Sequence, residues 1–263
     1  MPWKQLTHLS MVDFPIMPAT WMVFLRRCTR LQHGFFTLSE TEDLVPPANQ
    51  WIDTLQGDAV FSSMISLKVI FKHSGEWGIL GNLSFPSLKT LCLGSMKELS
   101  TWRSTTSATL HAPLVRNLTL FKIRIQYPDI IELLKTMAGL RTLILDAPLD
   151  FSPLFEKLSH IGANIFLPNL VRLSIYHWRV IQNQPITIDI KTFFRMIRAR
   201  WYPSSTRPAP PRSSLSSVSL RTSKFPPHLI GVKNALNSLI ADRLVLQIGL
   251  ASNGYLLKKE VDW

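Results

Sequence analysis

The hexamer spacing LxxLxL recurs along this chain, and no other feature limits its fold so strongly. The clearest copies are Leu88-Lys-Thr-Leu91-Cys-Leu93, Leu140-Arg-Thr-Leu143-Ile-Leu145 and Leu170-Val-Arg-Leu173-Ser-Ile175. Aliphatic or Met substitutes fill the same spacing at Leu6/Leu9/Met11, Val115/Leu118/Leu120, Leu215/Val218/Leu220 and Val245/Ile248/Leu250, and weaker copies start at Leu31 (Gly34, Phe36) and Leu67 (Ile70, Lys72). The intervals between starts are 25, 36, 21, 27, 25, 30, 45 and 30 residues. Most lie at or slightly beyond the 20–29 residues of leucine-rich repeats. Each copy predicts a short strand with Leu side chains facing a core and the x residues facing out. One such strand cannot bury its apolar face alone, whereas stacking parallel neighbours makes that face continuous.

The expected fold is therefore α/β, a leucine-rich-repeat solenoid of about nine irregular repeats over residues 1–263, with a concave parallel sheet. The alternative is an ordinary α/β domain whose strands happen to be Leu-rich. Helices are expected on the return segments. Pro128 to Met137 offers Asp129 as N-cap with Glu132 three residues on; Ser152 to Ile161 offers a Ser cap and Pro153 at the first helical position. Ile190, Phe193, Phe194, Ile197 and Trp201 form a third apolar stripe, and Trp21, Phe24, Leu25 and Cys28 a fourth. Pro203 to Ser214 reads as a low-complexity loop insertion that accounts for the 45-residue interval.

Composition narrows the function classes. Hydrophobic residues make up 46% of the chain, enough for a core, and two cysteines exclude a disulfide framework or a cysteine zinc cluster. Uncharged runs such as 158–171 and 244–257 are too short to span a bilayer, and no leader pattern follows Met1, so an intracellular protein, cytoplasmic or nuclear, is expected. The net charge of +12 sits mostly in the carboxyl half: residues 190–241 contain no Asp or Glu, but include Lys191, Arg195, Arg198 and Arg200. That charge invites a nucleic-acid or acidic-partner reading, but no aromatic interleaving and no nucleic-acid-binding signature accompanies it. Enzyme signals are poor, and no cofactor or metal is expected: the seven histidines include no pair at helix-face spacing, and phosphate-loop, GxSxG and HExxH motifs are missing. Cys28 reads as a buried helix residue and Cys92 as an exposed strand residue. Asn82-Leu-Ser84 and Asn117-Leu-Thr119 fit the glycosylation sequon by chance.

The best binding candidate is a column on the strand face. The residue after the first repeat position is Lys68, Lys89, Arg116 and Arg141 in four successive copies, and Arg172 sits one place further in the next. On strands about 4.8 Å apart these form a ladder of like charge, suited to an acidic or phosphorylated strip on a protein partner. The competing reading is that Lys and Arg are simply well solvated at an exposed strand position.

Several segments resemble the F-box and leucine-rich-repeat proteins of mushroom-forming fungi (basidiomycetes). Leu6-Thr-His-Leu9 with Leu25-Arg-Arg-Cys28-Thr-Arg-Leu31 resembles that family's "LTHL … LRxCxxL", and Leu167-Pro-Asn-Leu170-Val-Arg-Leu-Ser-Ile175 its "LPNLxxLSI". Met196-Ile-Arg-Ala-Arg-Trp201 followed by Leu215-Ser-Ser-Val-Ser-Leu220 resembles its "MIxSRW … LxSVxL", with Ala199 where Ser is usual. Leu236 to Leu246 resembles its final "LxxLxxEGLxI", with Asp242-Arg243 in place of the acidic-Gly pair. The resemblance runs over nearly the whole chain, loosely between 40 and 80. It implies a non-catalytic substrate receptor of a cullin-type ubiquitin ligase, with an amino-terminal F-box docking on a Skp-type adaptor. Met1 leaves no room for an F-box before the first repeat, so a truncated product or a paralogue without its ligase connection is expected, with a Skp partner only if an F-box lies upstream. An uncapped first strand also predicts weak stability at the amino end.

Overall fold

The computed structural model describes residues 3–39, 59–160 apart from positions 74, 76, 82, 98, 104, 105 and 107–109, then 165–177, 189–201, 215–222 and 245–250. The expected loop at 203–214, the segment 236–244 and Asn82 fall outside the described residues. In chain order the elements are β1 (His8–Ile16), α1 (Pro18–Arg27), β2 (His33–Leu38), β3 (Ala59–Val60), β4 (Ser66–Phe71), β5 (Leu83–Ser84), β6 (Thr90–Ser95), β7 (Ser100–Thr101), β8 (Asn117–Phe121), β9 (Ile123–Arg124), α2 (Tyr127–Lys135), β10 (Thr142–Asp146), α3 (Ser152–Ser159), β11 (Arg172–His177), α4 (Ile190–Trp201), β12 (Ser217–Thr222) and β13 (Val245–Leu250). Short 3-10 turns lie at Trp3–Gln5 and Trp77–Leu80.

Nine of the described strands form one sheet in the order β1-β2-β4-β6-β8-β10-β11-β12-β13. Every neighbouring pair is parallel. Within this sheet each strand therefore lies beside the member that precedes it in the chain, which makes this an α/β fold around one large parallel sheet. Helices and two small parallel pairs, β3–β5 and β7–β9, occupy the returns.

Strand alternation explains why the motif folds this way. Leu67, Leu91, Leu118, Leu143, Leu173 and Val218 stand in register as one buried column, and Phe36, Val69, Leu93, Leu120, Leu145, Ile175 and Leu220 as the next. The weak copy at Leu31 has its own logic. A Cβ on Gly34 would stand 2.6 Å from the Phe36 ring and 3.5 Å from Leu67, so those two side chains fill the volume a leucine would take. The strands are tied together before they begin. The carbonyl of the residue after the first repeat position accepts two N–H groups from the next repeat: Lys89 O takes Arg116 N at 2.8 Å and Asn117 N at 3.0 Å, and Arg116 O takes Arg141 N at 2.8 Å and Thr142 N at 2.9 Å. Thr7, Gln32, Ile65, Arg141 and Val171 repeat the arrangement.

Two motif copies are displaced from their expected register. Ser66, not a later residue, pairs with His33 and Thr90, so the third repeat reads Met64/Leu67/Val69 and not Leu67/Ile70/Lys72. The reason is the sixth position, which faces the core. The Leu67 reading would bury Lys72, whereas the Met64 reading buries Val69 and leaves Lys72 exposed. In the last copy Val245 pairs with Ser217 on the outward face and is 53% exposed, so it is not the first core position.

The helices form where expected, with different caps. In α2, Tyr127 and Pro128 open the helix, Gln126 is the N-cap, and Asp129 is a buried third residue. Burial, then Glu132, pushes the Asp129 carboxyl above its ordinary range. In α3, Ser152 is the first helical residue and its N–H donates to Asp150 Oδ1 at 2.9 Å. Asp189 caps α4, accepting from Lys191 N at 2.9 Å and Thr192 Oγ1 at 2.6 Å, and the Thr192 bond holds its carboxyl below the usual range. The edge strand β1 bulges between Met11 and Ile16, where Asp13, Phe14 and Pro15 are exposed. A bulge, a charge and a proline each discourage another chain from adding to an open edge.

Candidate functional site

Three of the five predicted basic residues line up. Lys89, Arg116 and Arg141 occupy the same place in three consecutive repeats, linked by the paired backbone hydrogen bonds described above. All three side chains are exposed. Arg172, also exposed, continues the strip on the next strand in register with Thr142, and its N–H binds Arg141 O at 2.9 Å. None of the four has a carboxylate within ion-pair distance among the described residues. The large sheet holds two acidic residues among those described, Asp13 and Asp146. Asp146 is 2% exposed, at the opposite end of β10 from Arg141. Beside the strip lie neutral groups, Thr90, Asn117 and Thr142, then half-buried Thr119 and Ile144.

Lys68 does not belong to this column. The third repeat starts at Met64, so Lys68 stands in register with Phe35 and Cys92, three places further along its strand. It is 8% exposed, with Nζ 4.2 Å from the centroid of the Phe35 ring. Ile70, Cys92 and Phe121 form a small apolar cluster on the same face, with Phe35 and Met96 packed at its edge. Burial pushes the Lys68 ammonium below its ordinary pKa, against a smaller opposite effect of Cys92. A folded-state pKa below the unfolded one means that the unfolded chain holds more protons in that interval, so stability rises with pH across it. As pH rises toward the ordinary lysine value of 10.5, Lys68 should therefore add stability, against the loss that the raised Cys92 thiol brings above 9, and Lys68→Met should lack the Lys68 contribution. Urea midpoints of both chains across that range test this; parallel curves would refute it.

Cys92 also departs from expectation. It is 2% exposed, and burial pushes its thiol up to about 12, with Lys68 pulling the other way. Such a thiol is no nucleophile at neutral pH. Cys28 is buried as expected, and burial raises it too. Asn117 is exposed at the start of β8, and its amide donates to Thr90 Oγ1 at 3.4 Å.

Tertiary structure pairs groups that are distant in sequence. His8 and His33 are register partners on β1 and β2, with rings stacked 4.5 Å apart at 14°. Their spacing of 25 residues hides the pair from any local motif search. Rings stacked in this way keep their nitrogen lone pairs in two separate, nearly parallel planes, so the pair does not converge on one metal ion. No group of three potential metal ligands occurs among the described residues. The basic stretch at 190–201 divides in two. Lys191, Arg195 and Arg198 are exposed along α4, whereas Arg200 turns inward. Its Nε donates to Leu158 O at 2.8 Å, its Nη1 to Leu167 O at 3.2 Å and its Nη2 to Phe166 O. Arg200 is thus a structural residue. No described helix is long and apolar enough to cross a membrane.

No family model matches the chain, and no curated protein or solved structure matches it.

Proposed function

We propose that this chain is a leucine-rich-repeat solenoid of about nine repeats that serves as a non-catalytic recognition module for a protein partner with an acidic or phosphorylated strip. The observation that carries the reading is the exposed row Lys89, Arg116, Arg141 and Arg172 at the amino-terminal ends of four neighbouring strands, with no described carboxylate to neutralise it. Close like charges repel, and a complementary strip removes that repulsion as it binds. The LxxLxL copies and the resemblance to fungal F-box proteins support the solenoid assignment, and the resemblance supports a substrate-receptor role in a cullin-type ligase.

Charge reversal tests the strip. Arg116→Glu with Arg141→Glu should weaken binding to acidic and phosphorylated peptides on an array by about a hundredfold or more, because two attractions become repulsions. Both side chains are exposed, so the melting temperature should stay within a few degrees. Unchanged peptide binding refutes the strip. Co-elution with a purified Skp-type adaptor tests the ligase link separately. A nucleic-acid role predicts instead tight oligonucleotide binding with a steep salt dependence.

A further inference from the structure

The spacing of the basic row speaks to the shape of what lies on it, and this inference rests on the recognition role proposed above. Lys89, Arg116, Arg141 and Arg172 stand at the amino-terminal ends of four adjacent parallel strands, β6, β8, β10 and β11. Lys89 and Arg116 lie just before their strands, Arg141 likewise, and Arg172 opens its own. At about 4.8 Å per strand, the row extends roughly 14 Å across the sheet. Beside it the surface is neutral, with Thr90, Asn117 and Thr142, then Thr119 and Ile144. A suitable partner therefore presents a single line of negative charge about 5 Å apart, with uncharged groups flanking one side.

Secondary structures differ in whether they can do this. An α-helix with acidic residues at i, i+4, i+7 and i+11 carries them on one stripe at a mean step of about 5.5 Å, spanning roughly 16 Å. An extended strand brings side chains to one face only every second residue, about 6.7 Å apart, so four of them span roughly 20 Å. The helix overshoots the row by about 2 Å, within the sweep of an arginine side chain, and the strand by about 6 Å. We infer that the row Lys89, Arg116, Arg141 and Arg172 receives an acidic α-helix lying across the strands, with its carboxylates at i, i+4, i+7 and i+11.

Two synthetic peptides of identical composition test it. One is stapled as a helix with Glu at i, i+4, i+7 and i+11; the other carries the same four Glu at i, i+2, i+4 and i+6 and is held extended. Binding is followed by fluorescence anisotropy against the full chain and against Arg116→Gln/Arg141→Gln. Far-ultraviolet circular dichroism and melting confirm that the variant is folded. The expected result is that the helical peptide binds about tenfold or more tightly than the extended one and loses that advantage on the variant. Equal affinity for both peptides, lost in the variant, overturns the helix and leaves the acidic-strip role intact. No binding of either peptide, or binding indifferent to the variant, overturns both. Displacement of the helical peptide by a single-stranded RNA oligomer at lower concentration than by unlabelled peptide also overturns the inference, in favour of a polyanion.

Discussion

Replacing Trp77 by alanine should lower the free energy of unfolding by about 4 kcal/mol, a loss measurable as a fall in the urea midpoint. Trp77 has no exposed surface and lies in the short 3-10 turn that returns the chain between β4 and β6. Its ring meets Phe71 edge-on at 4.8 Å, and its Nε1 donates to Ser100 Oγ at 2.7 Å. Its carbonyl accepts from Thr106 Oγ1 at 3.4 Å. The side chain thus ties the sheet to the β7 region on the outer layer. Alanine removes the packing and leaves a cavity that the neighbouring side chains cannot close without moving the sheet. Ser100→Ala isolates the polar part. It leaves the indole N–H buried without its acceptor and should cost about 1–2 kcal/mol. A loss below 1 kcal/mol for Trp77→Ala would show that this return segment contributes little to the cooperative unit.

Arg200→Ala should cost about 3 kcal/mol, as three carbonyls lose a charged donor. Two of those carbonyls, Phe166 O and Leu167 O, belong to consecutive residues before β11, and Leu167 has φ 50°, in the left-handed region that a leucine rarely adopts. The third, Leu158 O, lies in the last turn of α3, where a positive group also complements the helix dipole. Burial draws the guanidinium down to about 10, which leaves it charged at neutral pH. Arg200→Lys should recover little, because one ammonium cannot reach three acceptors set in a fork. Full recovery by lysine, read from the same urea curves, would mean that charge alone matters here. The chain should unfold first around α3 and α4 in the alanine variant, seen as early hydrogen exchange in 152–159 and 190–201.

Trp77 and Arg200 stand very differently in the chain's local pattern. Trp77 follows no repeat position, and nothing in its neighbourhood announces that Ser100 will accept its N–H. Arg200 looked like one more charge in an acid-free basic stretch; its i, i+3 neighbours could not reveal that it turns toward a loop thirty-odd residues earlier. Lys89, Arg116 and Arg141, by contrast, were legible because each follows a core leucine or valine in an unambiguous copy of the motif. Lys68 is not placed by its own motif because Met64 stands where leucine is usual, so the segment admits two overlapping readings of the same spacing. Only the rule that a core position excludes lysine decides between them, and it decides once Lys72 is seen to lie outside. The burial of Cys92 escapes the motif for a related reason. An outward strand position is exposed only where its neighbours are small, and here Lys68 and Phe121 lean over it.

By itself the sequence determined the parallel α/β architecture, the order of the strands and the four members of the basic row. All of these follow from periodicity: a two-residue alternation selects the core face, and a repeat too small to bury that face must stack beside its copy. Tertiary structure alone decided the register of the third and last repeats, the burial of Lys68 and Cys92, the stacking of His8 on His33 and the inward turn of Arg200. Each of these depends on which side chains meet across adjacent strands or from helix to loop. Those meetings are set by packing in three dimensions, where residues 24 to 42 positions apart come into contact and no local pattern records it.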